Sequence, residues 1–167
     1  MSKKKKYTIF MLIILIGGVI DQFTKALAIK LLSDKTVPII KDVLEFKLLY
    51  NTGAAWSFMR DNTWALVGIS LVLCLLLIIV LVRIPDNRKL TPLVVLVSLI
   101  ISGAIGNLID RVVAHKVTDF IYFKLINFPV FNVADIYVSC STVVLIILIM
   151  FYYDDEDFEW LTKKKSD

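Results

Sequence analysis

The sequence predicts an all-α membrane protein: four transmembrane helices carrying a small extracytoplasmic β-sheet cradle. Three observations lead there. Of the 167 residues, 58% are apolar and 20% charged, and the mean hydropathy is +0.79, too oily for a soluble domain. Four stretches, 7–29, 64–82, 93–111 and 133–153, each approach the roughly 20 residues that a helix needs to cross a ~30 Å hydrocarbon core. Between the first two lies a segment whose apolar residues recur with period two rather than 3.6. The length suits one integral membrane domain, 1–167.

The first stretch opens on Lys3–Lys6 ahead of an apolar core, as a secretory signal does. The core continues past Gly17 and Gly18 without a small-residue cleavage site, and three further spans follow, so it reads as a retained helix. With both termini inside, the 19 Lys and Arg residues divide almost evenly between the two sides, and counting alone does not orient the bundle. The lysine cluster ahead of the first helix does. It places both termini and the tail 154–167 in the cytoplasm, and the loops 30–63 and 112–132 outside. The net charge of +4 does not mark a nucleic-acid binder, because the basic residues sit at helix ends and tails.

In the first outside loop, Leu44, Phe46, Leu48 and Tyr50 alternate with Glu45, Lys47, Leu49 and Asn51. That is a strand. Its edge must be paired, so a partner is expected in the second outside loop, where Ile121, Phe123 and Leu125 alternate with Tyr122, Lys124 and Ile126. The resulting sheet rests on the outer interface. The inside loop, with Pro85 and Pro92 at its ends, reads as a plain helix connection. The tail "DDEDFEW" and the lysines after it read as a solvated, disordered end. Cys74 and Cys140 fall inside apolar spans, as small hydrophobes, and imply neither a disulfide nor a metal.

Several polar residues sit where a bilayer makes them costly. Asp21 and Lys25, spaced i, i+4, share a helix face. At 1.5 Å per residue Asp21 lies about 21 Å along the first helix, roughly two-thirds of the way across the core. The pair is either a self-neutralising packing device or the support of a polar site. In the third span Asn107, Asp110 and Arg111 share one face, and Gly103 and Gly106 allow a neighbouring helix to approach. The plain reading is a packing motif ending in a salt bridge. Arg111 can also hold a carbonyl or carboxylate through its planar fork. "NTGAAW", 51–56, offers Asn51 as donor and acceptor and a backbone at Gly53, Ala54 and Ala55 that another chain can approach.

Two aspartates complete the set. Asp119, in the second outside loop, and Asp135, at the outer start of the fourth helix, reach the same end of the bundle. Two carboxyls in a poorly solvated site do not both ionise cheaply, and one keeps a proton. An acid beside a carboxylate can activate water against an amide. Asp135 has an ordinary explanation too, as the acid of a capping box begun by Asn132. Asp119 has none. Other chemistries are poorly equipped: His115 is the sole histidine, H-E-x-x-H and a phosphate loop are absent from the sequence, and no outer-facing serine stands out to join Lys25.

Together "DQFTK" (21–25), "NTGAAW" (51–56), "GAIGNLIDR" (103–111), "VTDF" (117–120) and "FNVAD" (131–135) resemble the bacterial lipoprotein signal peptidases, the signal peptidase II family. The order and spacing of these blocks against four spans cover nearly the whole chain. The resemblance implies a membrane aspartic endopeptidase that removes the signal peptide from prolipoproteins, cutting before a cysteine that carries diacylglycerol. It implies Asp119 and Asp135 as catalytic dyad. Asn51, Gly53, Asn107, Arg111 and Asn132 then hold the substrate backbone and shape the site, with Asp21, Lys25 and Asp110 in support. It further implies a site near the outer face of the bacterial cytoplasmic membrane, contact with membrane lipid, and inhibition by globomycin-type cyclic peptides. The residues themselves, with His115 alone, call for no cofactor or metal. The competing reading is a small transporter or proton-coupled channel built on Asp21 and Lys25.

Overall fold

The computed structural model of the chain describes residues 1–53 and 62–161. Four helices carry the architecture: α1 (Lys3–Leu32), α2 (Thr63–Arg83), α3 (Thr91–Ala114) and α4 (Val133–Phe151), each long and apolar enough to cross a membrane. α1 overruns the stretch 7–29 at both ends. Its 30 residues make about 45 Å of helix, longer than the ~30 Å core, so its ends reach the interfaces. α4 stops at Phe151, short of the residue 153 read from hydropathy.

Exposed apolar side chains run along the helices, among them Leu15, Phe23, Leu73 and Ile147. Water would not tolerate that surface, whereas lipid requires it. α3 is the most buried span and packs on the other three. Its small residues make this possible. A Cβ on Gly106 would collide with the Asp21 carboxylate, and one on Gly103 with the Ala134 carbonyl, so both glycines are space for α1 and α4.

At the end of the bundle that holds Lys3 and Phe151, Leu81, Ile84, Leu90, Leu93, Val94 and Tyr153 form a tight core. Lys6 is buried there. Its ammonium donates to the carbonyls of Val82 (3.3 Å) and Ile84 (2.7 Å) at the C-terminus of α2, where the helix dipole favours a cation. The tail is not the solvated segment its charge suggests. Asp155–Leu161 forms a 3-10 turn whose Phe158 and Trp160 cover the core, and Lys89 pairs with both Asp154 and Asp157. Two aromatic rings bury apolar area that the acidic composition conceals. Residues 162–167 lie outside the described part.

At the opposite end β1 (Val37–Ile40), β2 (Leu44–Asn51) and β3 (Val117–Phe123) form an antiparallel sheet in the order β1-β2-β3. β2 occupies the segment that alternation predicts. β1 is additional, and its Pro38 is tolerated because the strand is an edge. The partner of β2 lies earlier than 121–126. Leu125 and Ile126 belong to a 3-10 turn, Lys124–Ile126, closed by Asn127 at φ 48° with its amide on the Lys124 carbonyl. Asp119 therefore sits in a strand opposite Leu49, not in a loop. A register shift between Phe46 and Leu49 breaks the alternation of β2, so that Leu44, Leu49 and Asn51 line one cavity despite their different parity. Phe46 and Leu48 pack instead with Ala28, Leu32 and Phe120, which seats the sheet on α1.

Candidate active site

α3, α4 and the sheet enclose a cavity of about 910 Å³ in which Asn51, Asn107, Arg111, Asp119 and Asp135 converge. Its remaining walls are largely apolar, with Leu44, Phe123, Phe128, Phe131 and Ile136 among them, and it continues along α4 to Ser139 and Cys140. Cys140 is exposed, while Cys74 is buried.

The capping box read from sequence is present. The Asn132 side chain accepts from the Asp135 amide (3.1 Å), and Asp135 Oδ2 accepts from the Asn132 amide (3.0 Å). Capping does not exhaust either residue. Asn132 Nδ2 also donates to Asp119 Oδ1 (2.7 Å) and to Asn107 Oδ1 (3.0 Å), so one asparagine holds both carboxyls. Asn51 Nδ2 donates to the other Asp119 oxygen (3.0 Å), while its carbonyl accepts from the Gly53 amide (2.9 Å). Asn107 Nδ2 donates to Asp135 Oδ1 (2.8 Å).

Each amide has its orientation dictated by a neighbour with only one role to play. Lys25, a donor only, places its ammonium 3.0 Å from Asn107 Oδ1, and this turns the Asn107 NH₂ toward Asp135. The same ammonium pairs with Asp21 (2.9 Å) and Asp110 (3.0 Å). Asp21 in turn accepts from the Ala134 amide, and Asp110 from the Thr118 amide, which ties the ion cluster to the start of α4 and to β3 (3.0 Å each). Arg111 donates to the carbonyls of Gly53 (3.2 Å) and Asn107 (3.4 Å), linking α3 to the end of β2.

All ten residues singled out from the sequence thus fall in one connected group, which the blocks alone do not reveal. Asp21 and Lys25 are engaged with each other and with this group, which leaves the transporter reading without its charged path. Ala54, Ala55 and Trp56 lie outside the described residues. Sequence reasoning missed Gln22, whose Nε2 donates to Asp110 (2.9 Å), Asp21 (3.2 Å) and the Gly106 carbonyl (3.3 Å). Its signal was its place beside Asp21 within the block "DQFTK".

Asp119 is 2% exposed. Burial, and then the neighbouring Asp135 charge, push its carboxyl up to about 7, against the opposing hydrogen bonds of Asn51 and Asn132. A raised folded-state value means that the native protein binds more protons than the unfolded chain between about pH 4 and 7. Stability therefore falls as pH rises through that window, by at most about 1.4 kcal/mol per unit from this group. Asp119→Asn is expected to lose this contribution. Melting temperatures of both proteins in detergent from pH 4.5 to 8 check it: the wild type should decline relative to the variant up to about pH 7 and then run parallel. Parallel curves throughout contradict the assignment.

The signal peptidase (SPase) II family profile matches residues 11–151. A lipoprotein signal peptidase of Clostridium tetani is 43% identical over 139 residues, 81% of this chain and 88% of that protein. One from Microcystis aeruginosa is 36% identical over 148 residues, 87% and 93% of the two chains. A bacterial membrane enzyme solved by the in meso method at 2.3 Å superposes with a TM-score of 0.75 at 27% identity, over 95% of this chain and 93% of that one. With a profile spanning most of the chain and relatives matched over most of both lengths, this chain belongs to the signal peptidase II family.

Proposed function

We propose that the chain is an aspartic endopeptidase of the cytoplasmic membrane that removes the signal peptide from diacylglyceryl-modified prolipoproteins, cutting before the lipidated cysteine. One observation carries the reading. Two carboxyls sixteen residues apart in sequence, on β3 and α4, share Asn132 as donor and face one largely apolar cavity between membrane-spanning helices.

Asp119, which keeps its proton to about pH 7, is the acid, and Asp135 is the base. Asp135 takes a proton from water as the water oxygen bonds to the scissile carbonyl carbon. Asp119 gives its proton to the carbonyl oxygen, so that a neutral gem-diol forms. In the second step the C–N bond breaks, the leaving amine takes the proton from Asp135, and Asp119 recovers one from the diol hydroxyl. Asn51, Asn107 and Asn132 hold the carboxyls, while Arg111 and Gly53 shape the cleft for the substrate backbone. Asp21, Lys25 and Asp110 support them from α1 and α3.

The apolar walls suit the acyl chains of the substrate and the lipid tail of a globomycin-type inhibitor. The site faces outside, because the cavity lies at the end of the bundle opposite Lys3–Lys6. Purified protein in liposomes, given one precursor with and without its diacylglyceryl group, tests the reading. Release of signal peptide is expected from the lipidated form, unchanged by EDTA. Equal rates on both forms show that lipid is not read, and activity lost to EDTA and restored by zinc removes the dyad mechanism.

A further inference from the structure

A second groove lies at the other end of the bundle, on the face between α3 and α4. It is an open groove of about 450 Å³, with Val95, Leu96, Val144 and Leu148 as walls and Arg88 and Tyr152 at its rim. From Val144 to Tyr152 it runs about 12 Å along the helix axis, close to half of a ~30 Å hydrocarbon core. That depth is one leaflet. The walls belong to membrane-spanning helices, so the groove opens to acyl chains rather than to water.

The rim carries an unspent charge. Lys89 is held by Asp154 and Asp157, and Lys6 by Asp86. Among the described residues no carboxylate pairs with the exposed Arg88 guanidinium, whose planar fork matches two phosphate oxygens. No acid lines the groove, and Asp154, two residues beyond Tyr152, is taken up by Lys89. We propose that this groove is a binding site for one anionic phospholipid of the leaflet opposite the candidate active site, with its phosphate on Arg88 and an acyl chain between α3 and α4. The proposal is independent of the peptidase reading.

Native mass spectrometry of the full-length protein released from detergent, titrated with phosphatidylglycerol, phosphatidylcholine or inorganic phosphate, tests it. The wild type is expected to retain one phosphatidylglycerol with roughly fivefold preference over phosphatidylcholine, the contribution of one interfacial arginine. Arg88→Gln should erase the preference and leave the melting temperature without lipid unchanged. Leu96→Trp, which fills the groove, should lose the retained lipid of either kind. Arg88→Gln that keeps the wild-type preference overturns the proposal, as does Leu96→Trp that keeps the lipid. Inorganic phosphate competing as well as the phospholipid also overturns it, in favour of a headgroup-only anion site.

Discussion

Asp135→Asn and Asp119→Asn are each expected to give folded, membrane-inserted protein with turnover reduced by about 10²–10⁴-fold or more, the usual worth of general acid-base catalysis. The capping role of Asp135 predicts a different scale. An asparagine there keeps an oxygen for the Asn132 amide but sets its NH₂ against that of Asn107, so the loss is a helix-dipole interaction of roughly 0.3–1 kcal/mol and one hydrogen bond of about 1 kcal/mol, which a four-helix bundle absorbs. Stability and turnover, measured on the same preparations, therefore separate the two roles. The double variant should be scarcely worse than either single one, because in the proposed mechanism the two carboxyls act as a unit. An Asp135→Asn protein with most of its turnover intact would leave capping as the whole explanation of that residue.

Lys25→Met is expected to have the largest effect on stability. Its ammonium is the shared partner of Asp21 and Asp110, whose side chains are 1% and 8% exposed. Removing the cation leaves two buried carboxylates with their backbone donors, the Ala134 and Thr118 amides, but no counter-charge, a loss of about 3–5 kcal/mol for a broken buried pair. It also releases the Asn107 carbonyl, so nothing charged holds that amide with its NH₂ toward Asp135. Turnover should fall with stability. Adding Asp21→Asn to Lys25→Met should recover part of the melting temperature, since it withdraws one of the stranded charges. A Lys25→Met protein that melts with the wild type would show that the cluster does not depend on its cation.

The helices were legible because lipid imposes one rule along their whole length. Every turn must hide its backbone groups within the helix and show apolar side chains, so about twenty such residues announce a span wherever they occur. The strands were legible only in part. β2 declares itself by alternation, but β3 extends to Val117, where the Thr118 amide is held by Asp110 from α3, and ends at Phe123 because of the turn at Asn127. Neither constraint is local to the strand. The tail was misread because net charge measures solvation along the chain, whereas Phe158 and Trp160 respond to a core assembled from α2, α3 and Tyr153.

The sequence by itself determined the membrane class, the four spans, the family and the polar residues that lipid would not tolerate without a reason. Those are properties of single residues and short periods, and burial in hydrocarbon makes each exception conspicuous. Only the tertiary structure decided what those residues do to one another. Asn132 links two carboxyls, Lys25 turns an amide toward Asp135, and Gly106 leaves room for Asp21. Hydrogen bonds need partners within about 3 Å and in a fixed direction. Residues that are 82 and 113 positions apart in the chain, as Lys25 and Asn107 or Asp21 and Ala134 are, meet that condition only after α1, α3 and α4 have packed.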